Sequence, residues 1–134
     1  MNEKDLMHLA LQARENAYAP YSNFRVGAAL LCKNGSVYTG CNVENASYSP
    51  TVCAERVAIC KAVSEGEQEF VTIAIVGGKG DAVQSICAPC GVCRQVLAEF
   101  CEGDFPILLG PPENIRKTTL SELLPLAFDS ANLI

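Results

Sequence analysis

The order of apolar and polar positions along the chain predicts a succession of helices and strands. In the first part, apolar residues recur at helical spacing and predict an amphipathic helix over residues 3–18, which Pro20 ends. The apolar run at residues 26–32 predicts a buried strand. The Asn34-Gly35 pair is typical of a tight hairpin turn because it tolerates positive φ angles, so residues 36–41 are predicted to return as a second strand.

The rest of the chain repeats this alternation at a larger spacing. Apolar patterns predict a helix, a strand, a helix, a strand and a short helix at residues 51–65, 70–76, 91–101, 105–109 and 119–124. Gly66 ends the first of these helices, and the glycine-rich residues 77–80 are predicted to open a loop. Strands that alternate with helices indicate a sheet covered by helices in one α/β domain spanning residues 1–134. The pattern leaves the order of the strands open.

Composition restricts the classes of function. The 134 residues are 49% hydrophobic and 19% charged, as expected for one globular domain. The net charge is −5 and no run of Lys and Arg exceeds two residues, which argues against a nucleic-acid polymer as substrate. The apolar runs are too short to cross a bilayer, and acidic residues stand where a secretory signal has basic ones. We therefore expect no membrane segment and a cytoplasmic location.

The cysteines and the single histidine narrow the chemistry. In a cytoplasmic chain, the eight cysteines are expected to be thiols, metal ligands or catalytic groups rather than disulfides. His8 is the only histidine, so a zinc site built on several histidines of this chain is excluded. His8 also lies opposite the apolar stripe of its predicted helix, where we expect it to face solvent.

Cysteines at two predicted helix starts indicate a metal site. Cys90 and Cys93 lie at the start of one helix, and Cys53 lies in the first turn of another. Helix N-termini favour anions and lower thiol pKa values, and the thiolate is the form that binds zinc. Three thiolates leave the fourth position of a tetrahedral zinc ion open to water, as in catalytic sites. Glu55, two residues after Cys53, is placed to exchange a proton with that water without binding the metal.

Other assignments of the cysteines stay open. Cys87 and Cys90 form a second pair with the same spacing as Cys90 and Cys93. We favour Cys90 and Cys93 because they can share a helix N-terminus, whereas Cys87 precedes Pro89 in a loop. Four cysteines would instead make a closed, structural zinc site. A non-catalytic zinc-binding module and a dithiol redox protein are the alternatives from other functional classes.

Residues 51–56 (Thr-Val-Cys-Ala-Glu-Arg) and 89–93 (Pro-Cys-Gly-Val-Cys) together resemble the zinc-dependent deaminase signature in its three-cysteine form. Within that superfamily, the chain is similar to the small homotetrameric cytidine deaminases. The similarity includes residues 21–29 (Tyr-Ser-Asn-Phe-Arg-Val-Gly-Ala-Ala) and 42–48 (Asn-Val-Glu-Asn-Ala-Ser-Tyr), and it covers about residues 10 to 128. It implies a mixed central sheet of about five strands between helices, in a three-layer α/β/α fold.

The resemblance also implies a reaction. Such an enzyme converts cytidine or deoxycytidine and water into uridine or deoxyuridine and ammonia, a step of pyrimidine salvage. One Zn²⁺ per chain, held by Cys53, Cys90 and Cys93, lowers the pKa of its bound water from about 16 toward 7. Glu55 would accept the proton of that water, deliver it to ring N3 and then protonate the departing amine.

The resemblance further assigns roles around the metal. Phe24 would pack on the pyrimidine, Asn42 and Glu44 would bind the ribose, and Ala54 would also contact the substrate. Tyr48 and Phe128 are also expected to contribute to substrate binding in the homotetramer, either in the site of their own chain or in that of a neighbouring subunit.

The charges of the metal site and of Glu44 lead to two further expectations. Three thiolates and Zn²⁺ sum to −1, so we expect Arg56 to donate to the thiolate sulfurs and withdraw charge. A carboxylate such as Glu44 repels phosphate, which favours free nucleosides over deoxycytidylate. Deaminases of deoxycytidylate or of blasticidin-like nucleosides remain the alternatives that share the same chemistry.

Overall fold

The computed structural model describes residues 1–84 and 86–134, and it has the predicted alternation of helices and strands. The four α-helices in this part of the chain are α1 (Glu3–Arg14), α2 (Ala54–Ser64), α3 (Gly91–Phe100) and α4 (Leu120–Leu123). The five strands are β1 (Phe24–Cys32), β2 (Val37–Cys41), β3 (Phe70–Lys79), β4 (Pro106–Leu109) and β5 (Arg116–Thr119). A single 3₁₀ turn follows at Ser130–Asn132.

The strands form one mixed sheet in the order β2-β1-β3-β4-β5. Strand β1 pairs antiparallel with β2 and β3, β3 pairs parallel with β4, and β4 pairs antiparallel with β5. The predicted mixed sheet of about five strands is thus confirmed. Strand β5 was not predicted, because its sequence Arg-Lys-Thr-Thr lacks apolar alternation. As an edge strand it needs only one partner, and charged side chains are typical of such edges.

Each face of the sheet carries its own apolar core, which confirms the three-layer α/β/α arrangement. On one face, Leu6, Met7 and Ala10 of α1 pack against alternate residues of β1, β3 and β4. On the other face, α2, α3 and α4 cover the intervening residues of the same strands, including Leu30 and Ile73. Because successive side chains of a strand point to opposite faces, fully apolar central strands supply both cores.

Several predicted boundaries differ from the structure. The start of α2 is Ala54 rather than residue 51, and the ends of α1 and β3 also differ. Helix α1 ends at Arg14 rather than at residue 18, because the following chain pairs with the segment after β2: Tyr18 N–H donates to Asn42 O at 2.9 Å. Strand β3 continues through Gly77 and Gly78, which were predicted to open a loop, because β1 pairs with it as far as Lys79. A Cβ at Gly77 would lie 2.7 Å from Cys87 Sγ, so glycine lets the loop that carries this cysteine approach the sheet closely.

Two other expectations concern exposure and membrane insertion. His8 is exposed on α1, as its position opposite the apolar stripe predicted. Among the described residues, no helix combines the length and the apolar character needed to cross a membrane.

Candidate active site

The starts of α2 and α3 lie together and carry the predicted metal ligands. Cys53 is the N-cap of α2 and Cys90 is the N-cap of α3, each with an extended backbone conformation. Cys53 was predicted to lie in the first turn of α2, but the helix begins at the next residue and Cys53 precedes it. Neither side chain caps its own helix. Both sulfurs are consequently free to face each other while the helix N-termini favour a negative charge there.

The three predicted ligands form a compact group of sulfurs. Cys53 Sγ lies 3.6 Å from Cys90 Sγ, and Cys90 Sγ lies 3.5 Å from Cys93 Sγ. All three sulfurs are within 4.8 Å of one another. Sulfurs around a tetrahedral zinc ion, with Zn–S bonds of about 2.3 Å, are about 3.8 Å apart. The donor set and its spacing therefore fit zinc, and Cys87 is not a member of this group.

The group is already poised to carry negative charge. A hydrogen bond from the Cys93 thiol, helped by Arg56, lowers the pKa of Cys53 to about 5. Sharing that proton with Cys53 raises the pKa of Cys93 instead, so one sulfur is the thiolate and the other keeps the proton. Burial raises the pKa of Cys87 to about 12, which makes that thiol a poor metal ligand.

Arg56 faces the sulfurs from the first turn of α2. Its Nη2 lies 3.6 Å from Cys53 Sγ and 3.5 Å from the carbonyl oxygen of Thr51. Its Nε is buried and has no hydrogen-bond partner among the described residues. The predicted contact between Arg56 and a thiolate is thus present in the geometry.

Glu55 lies beside the same group. It is only 4% exposed, and burial raises its pKa to about 7. A carboxyl group with a pKa near neutral can both accept and donate a proton at physiological pH, as a general acid–base group must. The chemical combination is therefore three thiols for a metal and one carboxyl for proton transfer.

A cavity of about 280 Å³ opens onto the sulfurs. The predicted residues that line it belong to β1, to the segment after β2 and to the start of α2: Phe24, Asn42, Glu44, Cys53, Ala54 and Glu55. Cys87 and Cys90 close the side nearest α3. The structure therefore brings the predicted base-binding and sugar-binding residues to one cavity with two of the three predicted metal ligands, Cys53 and Cys90, while Cys93 is buried behind them.

Asn42 and Glu44 are both held by β1 and the turn before it. The Asn42 amide accepts a hydrogen bond from Val26 N–H at 2.9 Å and donates to Phe24 O at 2.8 Å. The Glu44 carboxylate accepts from the backbone N–H groups of Tyr21 and Ser22 at 3.0 and 3.1 Å. One amide hydrogen of Asn42 is left over by these bonds and can serve a ligand.

Two predicted residues lie outside this cavity. Tyr48 is 76% exposed and lines a neighbouring cavity of about 290 Å³ with Tyr21, against whose ring it packs edge to face at 6.4 Å. Phe128 is 59% exposed, and its backbone oxygen accepts a hydrogen bond from Gln95. Neither side chain is among those that line the thiol cavity of its own chain.

The structure adds residues that the sequence reasoning did not assign. Ser22 and Val26 line the cavity beside Phe24, and Val52 and Ala88 lie near the sulfurs. Ser22 lies in one of the segments that carried the family resemblance, but a serine in a polar turn does not by itself indicate a functional role.

Comparison with known proteins agrees with this geometry. A family model for the cytidine and deoxycytidylate deaminase zinc-binding region matches residues 1–108. The chain belongs to this family. It is 51% identical over 134 residues to a cytidine deaminase of Halalkalibacterium halodurans, covering 99% of this chain and 98% of that protein. It is also 35% identical over 107 residues to a blasticidin-S deaminase of Bacillus cereus, covering 77% and 76% of the two chains.

The fold of this family member matches solved structures as well. A crystal structure of cytidine deaminase from Burkholderia pseudomallei has a TM-score of 0.87 and 46% sequence identity, over 96% of this chain and 100% of that chain. The predicted family and the predicted fold are confirmed.

Proposed function

We propose that the protein is a zinc-dependent hydrolytic deaminase that converts cytidine and deoxycytidine to uridine and deoxyuridine with release of ammonia, in pyrimidine salvage. The observation that carries this function is the position of a buried carboxyl, Glu55, beside three converging thiols, two of which, Cys53 and Cys90, line the same cavity as Glu55. Zinc binding and an acid–base group are the two requirements of hydrolytic deamination of a pyrimidine ring.

Cys53, Cys90 and Cys93 hold the zinc ion in this proposal. A zinc ion with three protein ligands acidifies a water molecule and makes it a nucleophile at neutral pH. Three thiolates would weaken that effect by their charge. The Arg56 guanidinium and the N-termini of α2 and α3 oppose this, because each places positive charge beside the sulfurs.

Glu55 carries the protons. Its carboxylate accepts one proton from the attacking water and delivers it to N3 of the pyrimidine. It then takes the second proton from the oxygen newly bound to C4 and gives it to the amine, which leaves as ammonia while the C4 carbonyl forms. Burial supports this role, because it raises the pKa of Glu55 and so makes the carboxylate a stronger base toward the proton of the water.

The substrate lies along the cavity between β1 and the segment after β2. Phe24 packs on the face of the ring, where an aromatic contact contributes about 1 kcal/mol. Ala54 borders the ring, and Asn42 and Glu44 bind the ribose hydroxyls. The Glu44 carboxylate disfavours a substrate phosphate, so free nucleosides are preferred to deoxycytidylate.

The assembly is a homotetramer in a cytoplasmic location. Tyr48 and Phe128 support the homotetramer, because both are large aromatic side chains exposed outside the cavity of their own chain. In the assembly they would approach the site of a neighbouring subunit. Sedimentation at several concentrations should give about four times the chain mass of 14.3 kDa, and a monomer at working concentration would contradict the assignment.

The activity is tested on purified protein by metal analysis and by loss of the cytidine absorbance. We expect about one zinc per chain and turnover of cytidine and deoxycytidine in preference to deoxycytidylate and blasticidin S. Glu55→Gln should keep zinc and the fold but lose at least a hundredfold in kcat, as expected when a general acid–base group is removed. Glu99→Gln, an exposed position on α3, is the matched control.

Each rival predicts a different result. A preference for deoxycytidylate or blasticidin S would reassign the substrate. Zinc without any effect of Glu55→Gln would indicate a binding module. Metal-free protein with a reversible disulfide would indicate a dithiol redox protein.

A further inference from the structure

The Ser22 hydroxyl lies between two residues to which the proposed function assigns the sugar and the base. It donates a hydrogen bond to Oε2 of Glu44 and accepts one from the backbone N–H of Phe24 at 2.9 Å. One hydroxyl therefore contacts the carboxylate and also fixes the backbone that carries the aromatic ring.

The turn around Ser22 places three donors on this carboxylate. Tyr21 N–H and Ser22 N–H both reach Oε1 of Glu44, and the Ser22 hydroxyl reaches Oε2. Asn23 makes the turn possible, because it adopts a left-handed conformation with φ of 57°, which asparagine tolerates better than most residues. Gly80 N–H donates to Asn23 O at 2.8 Å and holds the turn in place.

These bonds restrict what Glu44 can offer a ligand. A carboxylate has about four acceptor positions on its two oxygens. Two on Oε1 and one on Oε2 are used within the chain. The remaining position is on Oε2, the same oxygen that the Ser22 hydroxyl holds. Its direction toward the cavity therefore depends on that hydroxyl.

We propose that Ser22 is a positioning residue for sugar recognition, which aims the free acceptor of Glu44 at a hydroxyl of the substrate sugar and fixes Phe24 at the same time. This inference rests on the proposed function, because it concerns the nucleoside in the same cavity. The hydroxyl in question is the 2′- or 3′-hydroxyl of the sugar. The inference predicts that loss of the Ser22 hydroxyl weakens binding of substrates that carry one of these two hydroxyls and leaves binding of substrates that lack both unchanged.

The first experiment compares Ser22→Ala with the wild-type protein on cytidine and on 2′,3′-dideoxycytidine, which lacks both ring hydroxyls of the ribose. We expect KM for cytidine to rise about tenfold, the effect of a weakened hydrogen bond to a charged group, with kcat changed less than about threefold. KM for the dideoxy substrate should stay within about twofold of the wild-type value. Ser22→Thr keeps a hydroxyl and should restore most of the lost affinity for cytidine.

A double-mutant cycle then tests whether Ser22 acts through Glu44. In a Glu44→Ala background, Ser22→Ala should cause less than about a twofold further change in KM for cytidine. Ser47→Ala, on the exposed segment after Glu44, is the matched control and should behave as the wild type. An equal loss on cytidine and dideoxycytidine, or a full additive loss in the Glu44→Ala background, would overturn the inference in favour of a general structural role.

Binding of the product separates this inference from the proposed function. Calorimetry with uridine and 2′,3′-dideoxyuridine measures sugar recognition without turnover, and Ser22→Ala should weaken only uridine, by about tenfold. If the wild-type protein binds uridine but deaminates nothing, the proposed function fails and Ser22 is judged on these affinities. A wild-type protein that neither deaminates cytidine nor binds uridine would overturn both proposals.

Discussion

The Arg56 guanidinium donates a hydrogen bond to the sulfur of Cys53, with 3.6 Å between Nη2 and Sγ. The two residues are three positions apart at the start of α2, so the helix itself brings the cation to the thiolate. This hydrogen bond raises the pKa of Arg56 and helps to lower that of Cys53. Three thiolate ligands outweigh the charge of zinc, and the cation offsets this excess negative charge.

Removal of this cation should impair the metal site without unfolding the protein. We expect Arg56→Ala to fold but to lose zinc more easily on dialysis and to lose at least about tenfold in kcat, consistent with the usual effect of residues that orient metal ligands. Zinc analysis and steady-state kinetics check this prediction. Arg116→Ala, at an exposed position of β5, is the control. Near wild-type kcat and zinc content in Arg56→Ala would show that the hydrogen bond is incidental.

The ligand set makes a second prediction, on the four cysteines near the metal. Cys53→Ser, Cys90→Ser and Cys93→Ser should each hold much less than one zinc per chain after dialysis against a chelator. Cys87→Ala should retain about one zinc, because Cys87 is outside the sulfur group and burial raises its pKa to about 12. Loss of zinc from Cys87→Ala would instead indicate a closed site with four cysteine ligands.

The parts that sequence reasoning predicted have strong local signals. The central strands are continuous apolar runs, and the cysteines stand at helix starts whose chemistry favours thiolates. The segment Arg116–Thr119 has no such signal, because an edge strand takes its conformation from the partner β4 rather than from its own apolar pattern. The early end of α1 has the same kind of cause, since a distant segment at Asn42 competes for the backbone of Tyr18.

In the candidate site, too, residues close together in the sequence could be predicted, whereas contacts between distant segments could not. Cys53, Glu55 and Arg56 could be predicted because they lie within four consecutive residues at the start of one helix. The contacts of Ser22 with Glu44 join segments that are 22 residues apart, and no spacing rule reaches that far. The orientation of Arg14 likewise depends on the backbone carbonyl groups of Arg25, Gly78 and Gly80, which only the fold brings together.

Arg14 makes a third prediction, because it is a buried cation that binds backbone oxygens instead of a carboxylate. It is 6% exposed. Its Nε donates to Arg25 O at 2.7 Å, and its Nη2 donates to Gly78 O at 2.9 Å and Gly80 O at 2.8 Å. The guanidinium thereby ties the end of α1 to the end of β3, from which the chain continues to the cysteines of α3.

Replacement of this guanidinium should destabilise the fold as a whole and, locally, residues 78–84 at the end of β3. A lysine cannot reproduce the fork geometry, so we expect Arg14→Lys to lower the free energy of unfolding by about 2–3 kcal/mol, the cost of leaving buried acceptors unpaired. Urea denaturation of the zinc-loaded protein measures this, and hydrogen exchange should show faster opening of residues 78–84. Arg116→Lys provides the matched control. A change below about 0.5 kcal/mol would mean that water replaces the lost donors at no cost.

A fourth prediction concerns the acid side of the pH range. The hydrogen bond from Ser22, together with the N–H donors of Ser22 and Tyr21, lowers the pKa of Glu44 below its ordinary 4.5. A carboxyl group with a depressed folded pKa contributes stability that is present above the unfolded value. That stability is lost as the pH falls through the folded value. Glu44 should therefore stay ionised, and available to a sugar hydroxyl, at pH values where an ordinary glutamate is already half protonated.

Carboxyl titration by NMR with ¹³C-labelled glutamate measures this directly. The Glu44 signal should titrate below pH 4.5 in the wild-type protein, and Ser22→Ala should move its midpoint upward, because the largest stabilising donor is gone. Ser22→Thr should leave the midpoint low. An unchanged Glu44 midpoint in Ser22→Ala would mean that the backbone donors of the turn hold the carboxylate by themselves, and that the hydroxyl is not what orients it.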